Sequence, residues 1–197
     1  MALIRVPRMV AACAAALALA GGLGACGFEK PELGTEEEPG REGLALELAG
    51  VDYNLFITRE LNLRITPDKA YYRGPAAAPG KVLYGVFVKV CGATKGKRVS
   101  SVPARNFIVK DNQGNEYHPR ELPEENAFAY NARPLSFEEC IPQSGSVAQQ
   151  GPTAGSMLLY EFPLQNTENR PLEMVIEGPV EDLTDLKRES LHIELDL

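Results

Sequence analysis

Tryptophan is absent from this 197-residue chain, aromatic residues make up only 7% of it, and histidine occurs twice. So few rings argue against a platform on which bases or sugars could stack. The two histidines, His118 and His192, lie far apart, with no HxH, HxxxH or HExxH spacing to seed a zinc site. Positive charge is in deficit: 20 Lys and Arg face 27 Asp and Glu, for a net charge of −7. Such a chain repels phosphate backbones, so no nucleic-acid partner is expected. Neither GxSxG nor SxxK surrounds Ser100, Ser101, Ser144, Ser146 or Ser156, so no serine is marked as a nucleophile. No catalytic, cofactor-binding or metal-ligating residue is assigned, no cofactor is expected, and the chain reads as a non-enzyme.

Long apolar runs are missing too, with one exception. From Met9 to Leu23 the chain is uncharged and built mainly of Ala, Leu, Val and Gly, after a basic start at Arg5 and Arg8. That run is short for a spanning helix, which needs about 20 residues, but it suits a secretory signal core. It ends in Leu23-Gly24-Ala25-Cys26, which resembles the bacterial lipobox. Small residues before the cysteine open the bond to a peptidase, and the thiol carries the lipid. Residues 1–25 are therefore expected to be a lipoprotein signal peptide and Cys26 the lipidated N-terminus. Residues 26–43 are acidic, rich in Pro and Gly and poor in apolar side chains, and are expected to form a disordered tether. The membrane, reached through the N-terminal lipid, is the expected partner, together with a protein of the envelope.

Of the four cysteines, Cys13 leaves with the signal and Cys26 takes the lipid. Cys91 and Cys140 remain, an even pair outside the reducing cytosol, which favours a disulfide. Two metal-binding thiolates are the competing reading, but no CxxC and no nearby histidine support it.

Apolar residues alternate through much of the chain after residue 50. Val51, Tyr53, Leu55 and Ile57, then Leu61, Leu63 and Ile65, keep odd positions, and the interruption at Arg59 suggests a bend or bulge. Residues 82–91 are apolar at both odd and even positions, as expected of a central strand. Asp111-Asn112-Gln113-Gly114 superficially suggests a calcium loop, yet strands flank it, so a hairpin with Gly114 at positive φ is expected. Met157–Leu164, Leu172–Ile176 and Ser190–Leu197 complete about seven strands. Only residues 180–186 could form a short helix, and His192 is expected to face solvent. Lys95, Lys97 and Arg98 form the one basic run, read as a solvated tip. Residues 119–155 are long, irregular and Pro-rich; the aromatics Phe128, Tyr130 and Phe137 inside them would cover a sheet edge or meet a partner.

The stretches Tyr84-Gly85-Val86-Phe87-Val88, Phe107-Ile108-Val109-Lys110-Asp111, Gly155–Pro163 and Arg170-Pro171-Leu172-Glu173-Met174 come after the lipobox and acidic linker. Together they resemble bacterial lipoproteins with an immunoglobulin-like domain, similar in fold to a small secreted mycobacterial immunogenic protein. The resemblance covers roughly Val51 to Ile176 and implies an all-β, immunoglobulin-like antiparallel sandwich, the domain expected over residues 44–197; it supplies no catalytic residues. The function expected is a lipid-anchored, extracytoplasmic, non-catalytic binding or interaction module of the bacterial cell envelope. The alternative is an envelope carrier of a metal ion or small ligand, for which Met157, Met174 and the histidines would have to converge.

Overall fold

The computed structural model describes residues 33–180 and 188–196. The signal segment 1–25, Cys26 and nearly all of the short helix expected at 180–186 lie outside the described residues. Among those described, twelve strands occur in order: β1 (Gly40–Arg41), β2 (Ala45–Leu48), β3 (Val51–Glu60), β4 (Lys81–Gly92), β5 (Val99–Ser100), β6 (Phe107–Lys110), β7 (Glu116–Tyr117), β8 (Pro134–Leu135), β9 (Cys140–Ile141), β10 (Ser156–Pro163), β11 (Leu172–Val180) and β12 (Arg188–Leu195). One large sheet runs β1-β12-β11-β6-β7 and the other β10-β4-β3-β2, with β9 extending the β10 side of β4, and β5 pairs with β8 in a separate two-stranded sheet. Lettered in chain order, β3, β4, β6, β7, β10, β11 and β12 take positions A, B, C, C′, E, F and G. ABE then faces GFCC′, an immunoglobulin-type order.

Alternation places the core. Val86, Val88 and Val90 of β4 meet Phe107, Val109, Met174, Ile176 and Ile193 of the opposite sheet between the two layers. The other face of β4 is apolar as well, and Leu83 and Phe87 pack under Leu61, Tyr71, Tyr72, Phe128 and Ala148. Gly85 lies on that second face: a Cβ there would come within 3.2 Å of Leu61, Met157 and Phe87, so the covering layer can approach closely only over glycine. Strand β3 carries its register shift between Leu55 and Ile57 and then runs on through Arg59.

Alternation misleads at Leu61, Leu63 and Ile65, which do not continue a strand. The Asp68 carboxylate accepts from the backbone N–H of Asn62 at 2.8 Å and pairs with Arg59 at 2.9 Å, which turns the chain into a one-turn helix, Asp68–Tyr71. The tether boundary at residue 43 also shifts. Gly34 and Gly40 are buried, Gly40 and Arg41 pair in parallel with Ile193 and Glu194, and the His192 N–H donates to the Gly34 carbonyl at 2.8 Å. The folded body therefore reaches back to residue 34; residues 26–32 lie outside the described ones.

The expected hairpin is present, with Gly114 at φ 81°. Asp111 anchors it. One of its oxygens accepts from the N–H groups of Gln113 and Asn115, and the other from Asn115, Tyr117 and Asn169 side chains at 2.8–3.0 Å. Burial alone would raise its pKa; the bonds from Asn169, Asn115 and Tyr117 outweigh burial and hold the carboxyl well below the usual range. Because the folded-state pKa is lowered, Asp111 stabilises the fold fully above its unfolded value of about 3.9 and loses that contribution as pH falls through the folded value. Asp111→Ala is expected to cost about 2–4 kcal/mol at neutral pH in urea unfolding, with a smaller difference from wild type near pH 2. Ile193→Ala, which empties a fully buried site, is expected to cost about 2–5 kcal/mol by the same measurement.

Candidate binding surface

Cys91 and Cys140 stand directly opposite each other in the β4–β9 pair and form a disulfide with Cα atoms 4.1 Å apart. The long stretch after Pro119 is far from loose. It runs along the open edge of β10, where Arg120 N–H bonds the Leu159 carbonyl and Met157 exchanges bonds with Phe128 and Tyr130. Phe128 and Tyr130 are buried, and so cover the sheet as one of the two expectations had it.

Tyr53 and Tyr130 carry the β4–β6 connection into the core. The Val102 N–H donates to the Tyr53 hydroxyl at 3.0 Å, and the Tyr130 hydroxyl donates to the Val102 carbonyl at 2.8 Å. Both polar groups of one buried peptide position are thereby satisfied by ring hydroxyls. Burial pushes the Tyr53 phenol up to about 12 and that of Tyr130 higher still, so both hydroxyls stay protonated across the physiological range, Tyr53 accepting and Tyr130 donating.

Beyond this anchor the chain presents Phe137. Glu138 N–H bonds the Gly92 carbonyl at 2.9 Å, Gly92 N–H bonds the Glu139 carbonyl at 3.0 Å, and Glu139 N–H closes on Ser136 at 3.0 Å. The Glu139 carboxylate accepts from Ser136 N–H at 3.0 Å and from Arg133, whose second nitrogen reaches the Cys140 carbonyl at 2.9 Å. The Ser136 and Arg133 bonds bring the Glu139 carboxyl down to about 2. Gly92 is required here, since a Cβ would meet the Ser136 carbonyl oxygen at 2.3 Å. Glu138 adopts φ 62°, a left-handed conformation that costs a side-chain-bearing residue about 1–2 kcal/mol. So many constraints hold one short turn, and the ring at its tip is 37% exposed.

Three features far apart in sequence meet at this end of the sandwich. The Lys95 ammonium lies over the Phe137 ring, 5.0 Å from its centroid. Arg98 donates to the Pro134 carbonyl at 3.3 Å. A cleft of about 470 Å³ opens beside the disulfide, walled by Glu47, Asp52, Phe137 and Glu138. The other residues singled out in the sequence do not converge. Met157 lies in the layer outside β4 and Met174 between the sheets. Ser101 bonds the Arg133 backbone and Ser146 caps a one-turn helix. His192 lies on the outer face as expected but is half-buried, held between Ser190 of its own strand and Glu173, a diagonal neighbour on β11. Among the described residues no group of three or more His, Cys, Asp or Glu is placed to hold a metal.

The Cys91–Cys140 bond closes a loop of 49 residues, and in the chain-entropy model its loss costs about 4 kcal/mol. Cys140→Ser is expected to lower stability by about 2–5 kcal/mol. Limited proteolysis should then cut first between Arg133 and Ile141, whereas the oxidised parent stays intact there.

The chain matches no protein-family profile and no curated protein. Among solved structures, the yjhA protein of Bacillus subtilis superposes with a TM-score of 0.51 at 11% identity, over 80% of this chain and 99% of that one. A second Bacillus subtilis protein, the lipoprotein candidate ycdA, gives a TM-score of 0.47 at 9% identity. The match takes in 77% of this chain but only 38% of ycdA. At such identities the likeness to yjhA is one of fold.

Proposed function

We propose that this protein is a lipid-anchored, extracytoplasmic binding module of the bacterial cell envelope, acting by contact and not by catalysis, with the disulfide end as its contact surface. The observation that carries the reading is the turn at Phe137. A solvent-facing aromatic ring, capped by Lys95, is held by a disulfide, a guanidinium–carboxylate pair and a left-handed residue. Strain and rigidity spent on an exposed side chain serve recognition, because a pre-ordered anchor loses little freedom on binding. Aromatic and cationic anchors are also the residue types that dominate binding energy at interfaces. Anchoring rests on Leu23-Gly24-Ala25-Cys26 after the apolar run; two or three acyl chains hold a protein at a bilayer where one would not.

Two measurements test the two halves of this reading. Cys26→Ala is expected to leave an uncleaved precursor or release the chain from the membrane fraction; unchanged processing and detergent partitioning would overturn the anchor. A photo-cross-linking residue at position 137 is expected to trap a neighbour in intact cells, while the same residue at Gln113, on the hairpin tip, traps none. Equal labelling at both positions, or none at either, would overturn the contact surface.

A further inference from the structure

We infer that the disulfide end is self-complementary and that its partner is a second copy of this chain; the inference rests on reading this end as the binding surface. Glu47 of β2 faces Asp52 of β3 directly, and Asp52 in turn faces Cys91 in the row that ends at Cys140. Directly opposed like charges destabilise a sheet. Among the described residues neither carboxylate has an ion pair or hydrogen bond to relieve the repulsion.

The same end carries the opposite charge. Lys95, Lys97 and Arg98 are exposed; Lys95 meets a ring and Arg98 a carbonyl, and among the described residues none of the three is paired with a carboxylate. Cations and anions thus share one end of the sandwich around Phe137, each set without an ion pair to the other. A two-fold contact between identical copies requires that arrangement, because each group on one copy must meet its complement on the other. Lys97 and Arg98 are set against the second copy's Glu47 and Asp52, and Phe137 covers the disulfide in the facing cleft. The patch occupies one end of a small domain, and its contacts rest on exposed charges that solvent and salt screen. The association is accordingly weak in solution, with Kd on the order of 100 µM, and tethering both copies to one surface raises their effective concentration.

Sedimentation equilibrium on the chain from residue 27 onward tests this; both hydrophobic cores are built from residues after 45, so that chain retains the fold. A reversible monomer–dimer equilibrium is expected between about 5 µM and about 1 mM at low salt, weakening about tenfold on raising salt to about 0.5 M, where exposed charges are screened. Lys97→Glu with Arg98→Glu is expected to abolish it, and mixing that variant with Glu47→Lys/Asp52→Lys to restore a one-to-one dimer. Phe137→Ala is expected to weaken it about tenfold, with unchanged far-UV circular dichroism confirming that each variant folds. A chain that stays monomeric to about 1 mM, or a dimer indifferent to these substitutions, overturns the inference. If the chain is monomeric but position 137 still cross-links a different protein in cells, the second copy fails and the binding surface stands. Failure of both measurements removes both.

Discussion

Strand β4 is apolar on both of its faces, and most of the architecture answers that constraint. A strand with one greasy face needs one covering layer; a strand with two needs a layer on each side. The GFCC′ sheet buries Val86, Val88 and Val90. Among the described residues no third large sheet covers Leu83 and Phe87, so the segment around Tyr71 and the chain from Leu122 to Ala148 are folded over them. Tyr71 sits edge-on to both Phe87 and Phe128, with ring centroids 4.9 Å apart in each pair. This cover is what makes the long connection between β7 and β10 an ordered layer. The order it acquires there is what gives the Phe137 turn a rigid base.

Irregular chain can be buried only if its polar groups find partners. Tyr53 and Tyr130 supply them for Val102, Tyr160 supplies one for Phe107 at 3.0 Å, and Asp111 gathers the groups of two connections at the opposite end. The sandwich thus has its two ends fixed by different chemistry. One is tied by ring hydroxyls and a disulfide, the other by a single carboxylate with both oxygens engaged. These ties explain how connections of such length can lie close against the sheets.

The period-two pattern made the strands legible: Leu191, Ile193 and Leu195 are buried on one face as alternation requires, and most of residues 82–91 are buried whichever face they take. Parity, with the export expected from the N-terminal segment, made the cysteine pair legible. Alternation failed at Leu61–Ile65 because Asp68, buried and paired with Arg59, captures the Asn62 N–H and pulls the chain out of the sheet; periodicity carries no sign of such a bond. The sequence around residues 34–41 reads as tether because two glycines and a run of acids lack apolar mass, yet backbone pairing to β12 needs none. The candidate surface was readable only in pieces. Lys95, Phe137 and the cysteines each stood out, but their meeting depends on β9 pairing with β4, a contact between segments 49 residues apart. Nothing local marks Arg133 and Glu139 as the pair that holds the turn.

The cross-strand disulfide also bears on how the domain responds to tension. A protein pulled through its N-terminal end takes load first on the segment from Gly34 through β1, which is held to β12 by the His192–Gly34 bond and two registered residues. If the sandwich then opens, the covalent bond lets force bypass the entire loop between Cys91 and Cys140. Some 49 residues, about 170 Å of contour at roughly 3.3–3.6 Å each, cannot be drawn out while the bond is intact. The extended length of the domain is capped accordingly, and the chain that forms the covering layer and the Phe137 turn stays slack under stretch.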